Sequence, residues 1–248
     1  PEGPPAEAAP AHARPPAPAP GALAARIAAD PPRAPGLLPD TAPLPATPAA
    51  LALFTRTNAL PQRQAGFSAV TVAPARGDLS SAQLEALADL ALAYGDGAVR
   101  LANGGHALLR WVETARVPEL FERLAEAGLS RAGAGSAGDV VACPGAESCR
   151  LAVTGTRDVA RDVEERVRAR LGEAALVERL PVHASGCPNG CSQHHLAAVG
   201  LQGSLRKLGG RAVPQYFLLL GGGVAAGETR FGRLAAKIPR RRVPEAVE

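Results

Sequence analysis

No run of about 18 apolar residues occurs in the 248-residue chain, so no part of it is expected to cross a membrane as a helix. Aromatic side chains are scarce: one tryptophan, two tyrosines and five phenylalanines leave Leu, Val and Ala to build any core. Lysine is nearly missing, with only Lys207 and Lys237, and arginine carries the positive charge. No segment interleaves dense Lys/Arg with aromatic rings, as a single-strand nucleic-acid groove requires, and a net charge of +4 is too mild to argue for one. Nucleic acid is therefore not an expected partner. The run Arg240-Arg241-Arg242 reads as a solvated tail. A secretory signal is missing too, since the opening PEGPPAEAAP has neither a basic n-region nor an apolar h-region. The start at Pro1 rather than Met reads as processing or a fragment. Without export, the four cysteines are not expected to form structural disulfides, and the expected setting is reduced and cytoplasmic.

Proline is plentiful, and it crowds into the first fifty residues. Residues 1–52 are Ala/Pro-rich and cannot bury enough surface to offset the entropy of ordering, so a linker or disordered arm is expected, with at most a helical turn over 21–29. The texture changes at Phe54. GFSAVTVA over 66–73 reads as a strand, and Ser80-Ser81-Ala82-Gln83 as a capping box for a helix reaching Tyr94. Strands are expected over 98–101 and 107–112, the second placing Trp111 in the core. A further helix opens at Pro118 and closes at Gly128. This strand–helix–strand–strand–helix order, over 53–131, predicts a ferredoxin-like half domain. A glycine-rich joint over 133–138 separates it from a second unit, 132–248. There a helix over 157–171 carries Val159, Val163, Val167 and Leu171 on one face, and strands near 180–184, 197–201 and 216–220 suggest a mixed sheet. The fold class expected is α+β.

Every cysteine belongs to one of two tight pairs, CPGAESC at 143–149 and CPNGC at 187–191. Four thiolates from two Gly/Pro-flanked loops make a soft sulfur cage, suited to an iron–sulfur cluster or to zinc. Zinc knuckles usually take C-x₂₋₄-C spacing, and the first pair is wider than that. Four unligated cysteines are the third reading, disfavoured by their grouping.

The residues around the pairs go further. SGCPNGCSQHHLAAVGLQG (185–203) and DVVACPGAESCRLAV (139–153) closely resemble the cysteine loops of siroheme-dependent nitrite and sulfite reductases. The stretch 56–91 resembles that family's ferredoxin-like half domain, and YFLLLGGG and AKIPRRRVPEAV its closing segments. The resemblance implies a ferredoxin-like half domain followed by a mixed-sheet α/β domain that binds a [4Fe–4S] cluster on Cys143, Cys149, Cys187 and Cys191. It implies a siroheme whose iron shares the sulfur of Cys191, which makes Cys191 the catalytic candidate. Asn189 and Gln193 are the further cofactor-binding candidates. The implied reaction is six-electron reduction of nitrite to ammonia or sulfite to sulfide, with ferredoxin or a flavoprotein as electron donor. The family's N-terminal homologous half, which supplies most of its basic substrate contacts, is not among these residues and is a possible partner.

Departures from the family pattern are also visible. Asn103-Gly104-Gly105-His106 stands where a Gln-Asn pair is common, and Ala146 and Arg150 stand for Thr and Lys. Among the histidines, one of His194 and His195 is expected either near the siroheme or fixing the loop, while His106 and His183 read as ordinary surface or strand residues. Arg56, Arg63 and Arg100 are weighed as contacts to siroheme carboxylates. Gly221-Gly222-Gly223 is no nucleotide loop, lacking a following Lys-Ser/Thr. Two other functions stay open: a precorrin-3B synthase-like oxygenase, and a non-catalytic cluster-binding module for electron transfer.

Overall fold

A computed structural model describes residues 42–224 and 227–248; the helical turn weighed over 21–29 lies outside them. The expected arm does not reach residue 52. Thr47 accepts a hydrogen bond from the Ala50 N–H at 3.2 Å, and helix α1 (Pro48–Asn58) starts there, with proline in its first turn. Large side chains are few in this stretch, but Ala50 and Leu51 still rest on the first core.

The first unit continues with β1 (Ala59–Pro61), β2 (Phe67–Val72), α2 (Ser81–Tyr94), β3 (Val99–Leu101), β4 (Ala107–Glu113) and α3 (Val117–Glu126). Its strands form an antiparallel sheet in the order β1-β2-β4-β3. Burial alternates along β2, so Ser68, Val70 and Val72 face inward. Val70, Val72 and Leu109 meet Phe54 of α1, Leu87 of α2 and Phe121 and Leu124 of α3, with the Phe54 and Phe121 rings 5.2 Å apart. Trp111 is buried as expected, though outside this cluster. The pairing skips between Ser68↔Val112 and Val70↔Leu109, setting Arg110 and Trp111 opposite Ala69 as a bulge. Trp111 takes a left-handed φ of +59° there and packs edge-on against Phe67 at 5.3 Å.

The second unit is a mixed five-stranded sheet in the order β5-β6-β7-β8-β9, parallel from β5 (Val141–Ala142) through β6 (Val182–Ser185) to β7 (Val199–Leu208) and antiparallel onward to β8 (Arg211–Leu220) and β9 (Arg233–Pro239). β7 and β8 run well past the lengths read from sequence, because Gly209 and Gly210, at φ of +55° and +77°, close a tight hairpin between them. Helix α4 (Arg157–Leu171) lays Val159, Ala160, Val163 and Val167 on the sheet, with Val182, Leu201 and Tyr216 beneath. Leu171, expected on that face, is 47% exposed in the last turn. A short α5 (Ala174–Val177) follows α4, and α6 (Val243–Val247) ends the chain.

One expectation changes in part. Of the triple-arginine run, Arg241 and Arg242 are exposed as expected, but Arg240 bridges Asp158 and Asp162 on α4, and Val243 just beyond is fully buried. The glycine-rich joint between the units is held on both sides. Asn58, with no exposed surface, donates to the carbonyls of Thr71 (2.8 Å) and Arg131 (3.0 Å) and accepts from the Gly133 N–H (3.1 Å). Arg131 then reaches Glu164 of α4 at 3.0 Å, and the Arg168 guanidinium donates to the Gly138 carbonyl. Both units are thereby tied through one polar seam.

Candidate functional site

Cys143 follows β5 directly, and its N–H donates to the Ala184 carbonyl at 3.1 Å, carrying the β5–β6 pairing one step further. The chain then turns tightly at Gly145, φ +64°, where a Cβ would stand 2.4 Å from Thr156 Oγ1. Cys149 N–H closes that turn onto the Gly145 carbonyl at 2.9 Å. The second loop leaves β6 through Gly186. Its N–H donates to Cys143 Sγ at 3.3 Å, and its carbonyl accepts from Val153 N–H at 2.8 Å and Thr154 N–H at 3.2 Å. A side chain on Gly186 would meet the Thr154 carbonyl at 2.6 Å. The two cysteine loops therefore touch backbone to backbone, and glycine at 145 and 186 is what lets them.

Within the second loop, the Ser185 and Ser192 hydroxyls pair at 2.6 Å across its neck. Gln193 N–H donates to the Gly190 carbonyl at 2.7 Å, with Gly190 at φ +70° and Gln193 at φ +58°. Cys187 is buried, Cys143 and Cys149 are half-buried, and Cys191 is exposed. The side chains of Asn189 and Gln193 are exposed as well. Among the described residues, no three Cys, His, Asp or Glu side chains stand within reach of one metal ion. The sulfurs are thus not drawn to a single point, as a mononuclear zinc site needs. A four-iron cluster takes each thiolate at a separate iron, and a main-chain N–H aimed at a ligand sulfur is a contact that stabilises such a cluster. Four thiolates on two loops hydrogen-bonded to each other, one of them taking a main-chain N–H, are a donor set that suits a cluster.

The QHH sequence after Cys191 works mainly as support. His194 has no exposed surface; its Nε2 pairs with Gln202 Oε1 at 3.2 Å, and its ring stacks on His195 at 3.9 Å. Burial, aided by the charge of His195, pushes its pKa down to about 4. His183, on β6, also has its pKa lowered by burial, against the opposing carbonyls of Ser192 and Gln193. His194 thus makes its contacts within the loop and to β7, the kind of bonding weighed for it as loop fixing.

A cavity of about 250 Å³ opens between the two units, with Cys143 and Cys191 in its wall. Sequence reasoning missed its charged lining. Arg56 pairs with Glu173 and Arg100 with Asp96, Arg63 is exposed, and none of the three lines the cavity. Arg76 and Arg157 line it instead. His106 is no ordinary surface residue either: it sits in the wall, its Nε2 2.8 Å from the carboxylate of Asp139. Burial alone would raise the Asp139 pKa, but the bond and charge of His106, the Gly135 N–H and Arg131 together hold it below the usual carboxylate range. The one sequence signal for this site was the departure at 103–106, which forms part of the lining.

Comparison with known proteins places this geometry. Residues 60–127 match the nitrite/sulfite reductase ferredoxin-like half domain, and 134–248 the nitrite and sulphite reductase 4Fe-4S domain. The chain is 32% identical over 164 residues to a ferredoxin–nitrite reductase of Synechococcus elongatus, covering 66% of this chain and 31% of that protein. It is 32% identical over 171 residues to a ferredoxin sulfite reductase of Mycolicibacterium paratuberculosis, covering 68% and 31%. Among solved structures it resembles Mycobacterium tuberculosis NirA, with a TM-score of 0.64, 28% identity, and coverage of 76% of this chain and 35% of that one. The chain spans about a third of the length of these relatives.

Proposed function

The chain belongs to the nitrite and sulfite reductase family, and from that premise we propose that it is the cluster-binding half of a siroheme- and [4Fe–4S]-dependent reductase. The reaction is six-electron reduction, nitrite to ammonia or sulfite to sulfide, with ferredoxin or a flavoprotein as donor. One observation carries this reading: the two cysteine loops are hydrogen-bonded to each other, with Cys143 and Cys191 in the wall of one cavity.

Cys143, Cys149, Cys187 and Cys191 would hold the cluster, and Cys191, the exposed one, would also be the residue to hold the siroheme. Bound together, the two groups supply electron storage and a metal on which the oxyanion is reduced. The chain's own residues do the holding. Gly186 N–H steadies the Cys143 sulfur, and the Ser185–Ser192 hydroxyl pair fixes the neck of the loop that presents Cys191. Asn189 and Gln193, exposed on that loop, are placed to meet a cofactor covering it. A separate or fused homologous half completes the substrate pocket.

Metal analysis tests the assignment. Anaerobically purified protein should be brown, with about four irons per chain and no stoichiometric zinc. Zinc without iron overturns the proposal. Cys191→Ser should lose cluster integrity and siroheme binding together; siroheme spectra unaltered in that variant would remove its bridging role.

A further inference from the structure

All three polar atoms of Cys143 are engaged. Its N–H donates to the Ala184 carbonyl at 3.1 Å, its Sγ accepts from the Gly186 N–H at 3.3 Å, and its carbonyl accepts from the Thr156 hydroxyl. Among the described residues, Cys143 is the one cysteine whose sulfur meets a hydrogen-bonding partner. Two of those contacts come from strands and loops already paired with the first cysteine loop. The third comes from a helix.

Thr156 stands at the N-cap of α4, where a threonine hydroxyl ordinarily accepts from a backbone N–H of the first turn. Here it makes no cap bond. The Val159 N–H is taken by the Asp158 carboxylate at 2.8 Å, and the Thr156 hydroxyl is turned away from its own helix toward the cysteine. The residue has no exposed surface, and its Oγ1 lies 3.9 Å from Cys143 Sγ. Its approach is fixed from behind. The Tyr216 hydroxyl donates to the Gly155 carbonyl, Thr154 N–H donates to the Gly186 carbonyl at 3.2 Å, and the Thr154 carbonyl accepts from Ala146 N–H at 3.0 Å. Gly145 leaves the room that the hydroxyl fills. A cap diverted in this way forgoes stability for the helix, and what it holds instead is Cys143.

We propose that Thr156 is a positioning residue for the cluster: by holding the Cys143 carbonyl, its hydroxyl sets the Cys143 sulfur where the Gly186 N–H meets it. This role rests on the reductase reading, to which it adds the tie between α4 and the first cysteine loop. A main-chain N–H on a ligand sulfur raises the reduction potential of a cluster, so a Cys143 backbone left loose should lower it.

Thr156→Val removes the hydroxyl at nearly constant shape, Thr156→Ala removes it without the bulk of valine, and Thr156→Ser keeps it. No cap bond is lost from α4 in any of them, so all three should fold, which circular dichroism checks. Iron content, the rate of iron loss to a chelator and the cluster potential by redox titration are measured on the anaerobically purified full chain. Thr156→Ser should match the wild type. Thr156→Val and Thr156→Ala should lose iron about tenfold faster, as loss of one hydrogen bond implies, and titrate at a lower potential. Rates and potentials equal to the wild type in the Val and Ala variants overturn the role of Thr156 while the cluster assignment stands. So does a Thr156→Ser variant that behaves like Thr156→Val, since the hydroxyl is then not the cause. Wild-type protein that carries no iron overturns both readings, so the two failures are told apart by the iron content of the wild type.

Discussion

His194 illustrates how a single side chain couples this fold to pH. It is fully buried and its pKa is pushed from 6.5 down to about 4, so the folded chain resists its protonation. Above pH 6.5 the residue is neutral both folded and unfolded and adds no pH dependence. Between pH 6.5 and 4 the unfolded chain takes up the proton while the folded chain does not, and stability falls. At pH 5 the loss should be about 2 kcal/mol relative to neutral pH. Denaturant midpoints measured at pH 7 and pH 5 read it directly, and His194→Asn should remove that part of the slope. An unchanged slope in the variant would show that other groups carry the acid sensitivity. The QHH letters were conspicuous in the sequence, but their role depends on what covers them, and burial is not a local property. The same holds for Arg76 and His106, whose neighbours across the cavity lie 30 or more positions away in the chain, as with Asp139 for His106 at a separation of 33.

Secondary elements were legible where their signals were local. The capping box at Ser80 is present in full: Gln83 N–H donates to Ser80 Oγ at 3.2 Å, and Ser80 N–H donates to Gln83 Oε1 at 3.1 Å. Gln83 also donates its amide to the Ala127 carbonyl at 3.1 Å, joining the start of α2 to the end of α3. Ser80→Ala should therefore cost about 1 kcal/mol, the usual worth of an N-cap. Gln83→Ala should cost more, up to roughly twice as much, because it breaks the cap and also takes the amide donor from the half-buried Ala127 carbonyl. Thermal melts of both variants check the order; equal losses would mean the α2–α3 link contributes nothing. By contrast, β9 gave no usable signal, since RLAAKIP has few β-branched residues and mostly exposed side chains. It is a strand because β8 offers it a hydrogen-bonding edge, with Tyr216↔Ile238 and Phe217↔Lys237 in register. Edge pairing is settled by tertiary neighbours rather than by propensity.

At the scale of the molecule, the composition of the glycine-rich joint gives no local sign of how firmly it is held. What rigidifies 133–138 is a buried amide 75 residues earlier: the Asn58 side chain satisfies the Gly133 N–H while holding the carbonyls of Thr71 and Arg131. Glu164 extends the same seam, accepting from Arg131 at 3.0 Å and from the Val140 N–H at 3.0 Å. The cavity is lined by residues of both units, Arg76 and His106 from the first and Cys143 and Cys191 from the second, so the contacts that hold the units together bear on its shape. Asn58→Ala would take its amide donor from the half-buried carbonyls of Thr71 and Arg131, while the Gly133 N–H keeps Thr57 Oγ1 at 2.9 Å, and the expected cost is roughly 2 kcal/mol. Because those groups join two separate cores, the loss should also weaken their coupling. Wild-type protein should melt in one transition, and the variant in a broader one whose van't Hoff enthalpy falls below the calorimetric value. A variant that melts as sharply as the wild type, at the same temperature, would mean the two cores are coupled through some other contact.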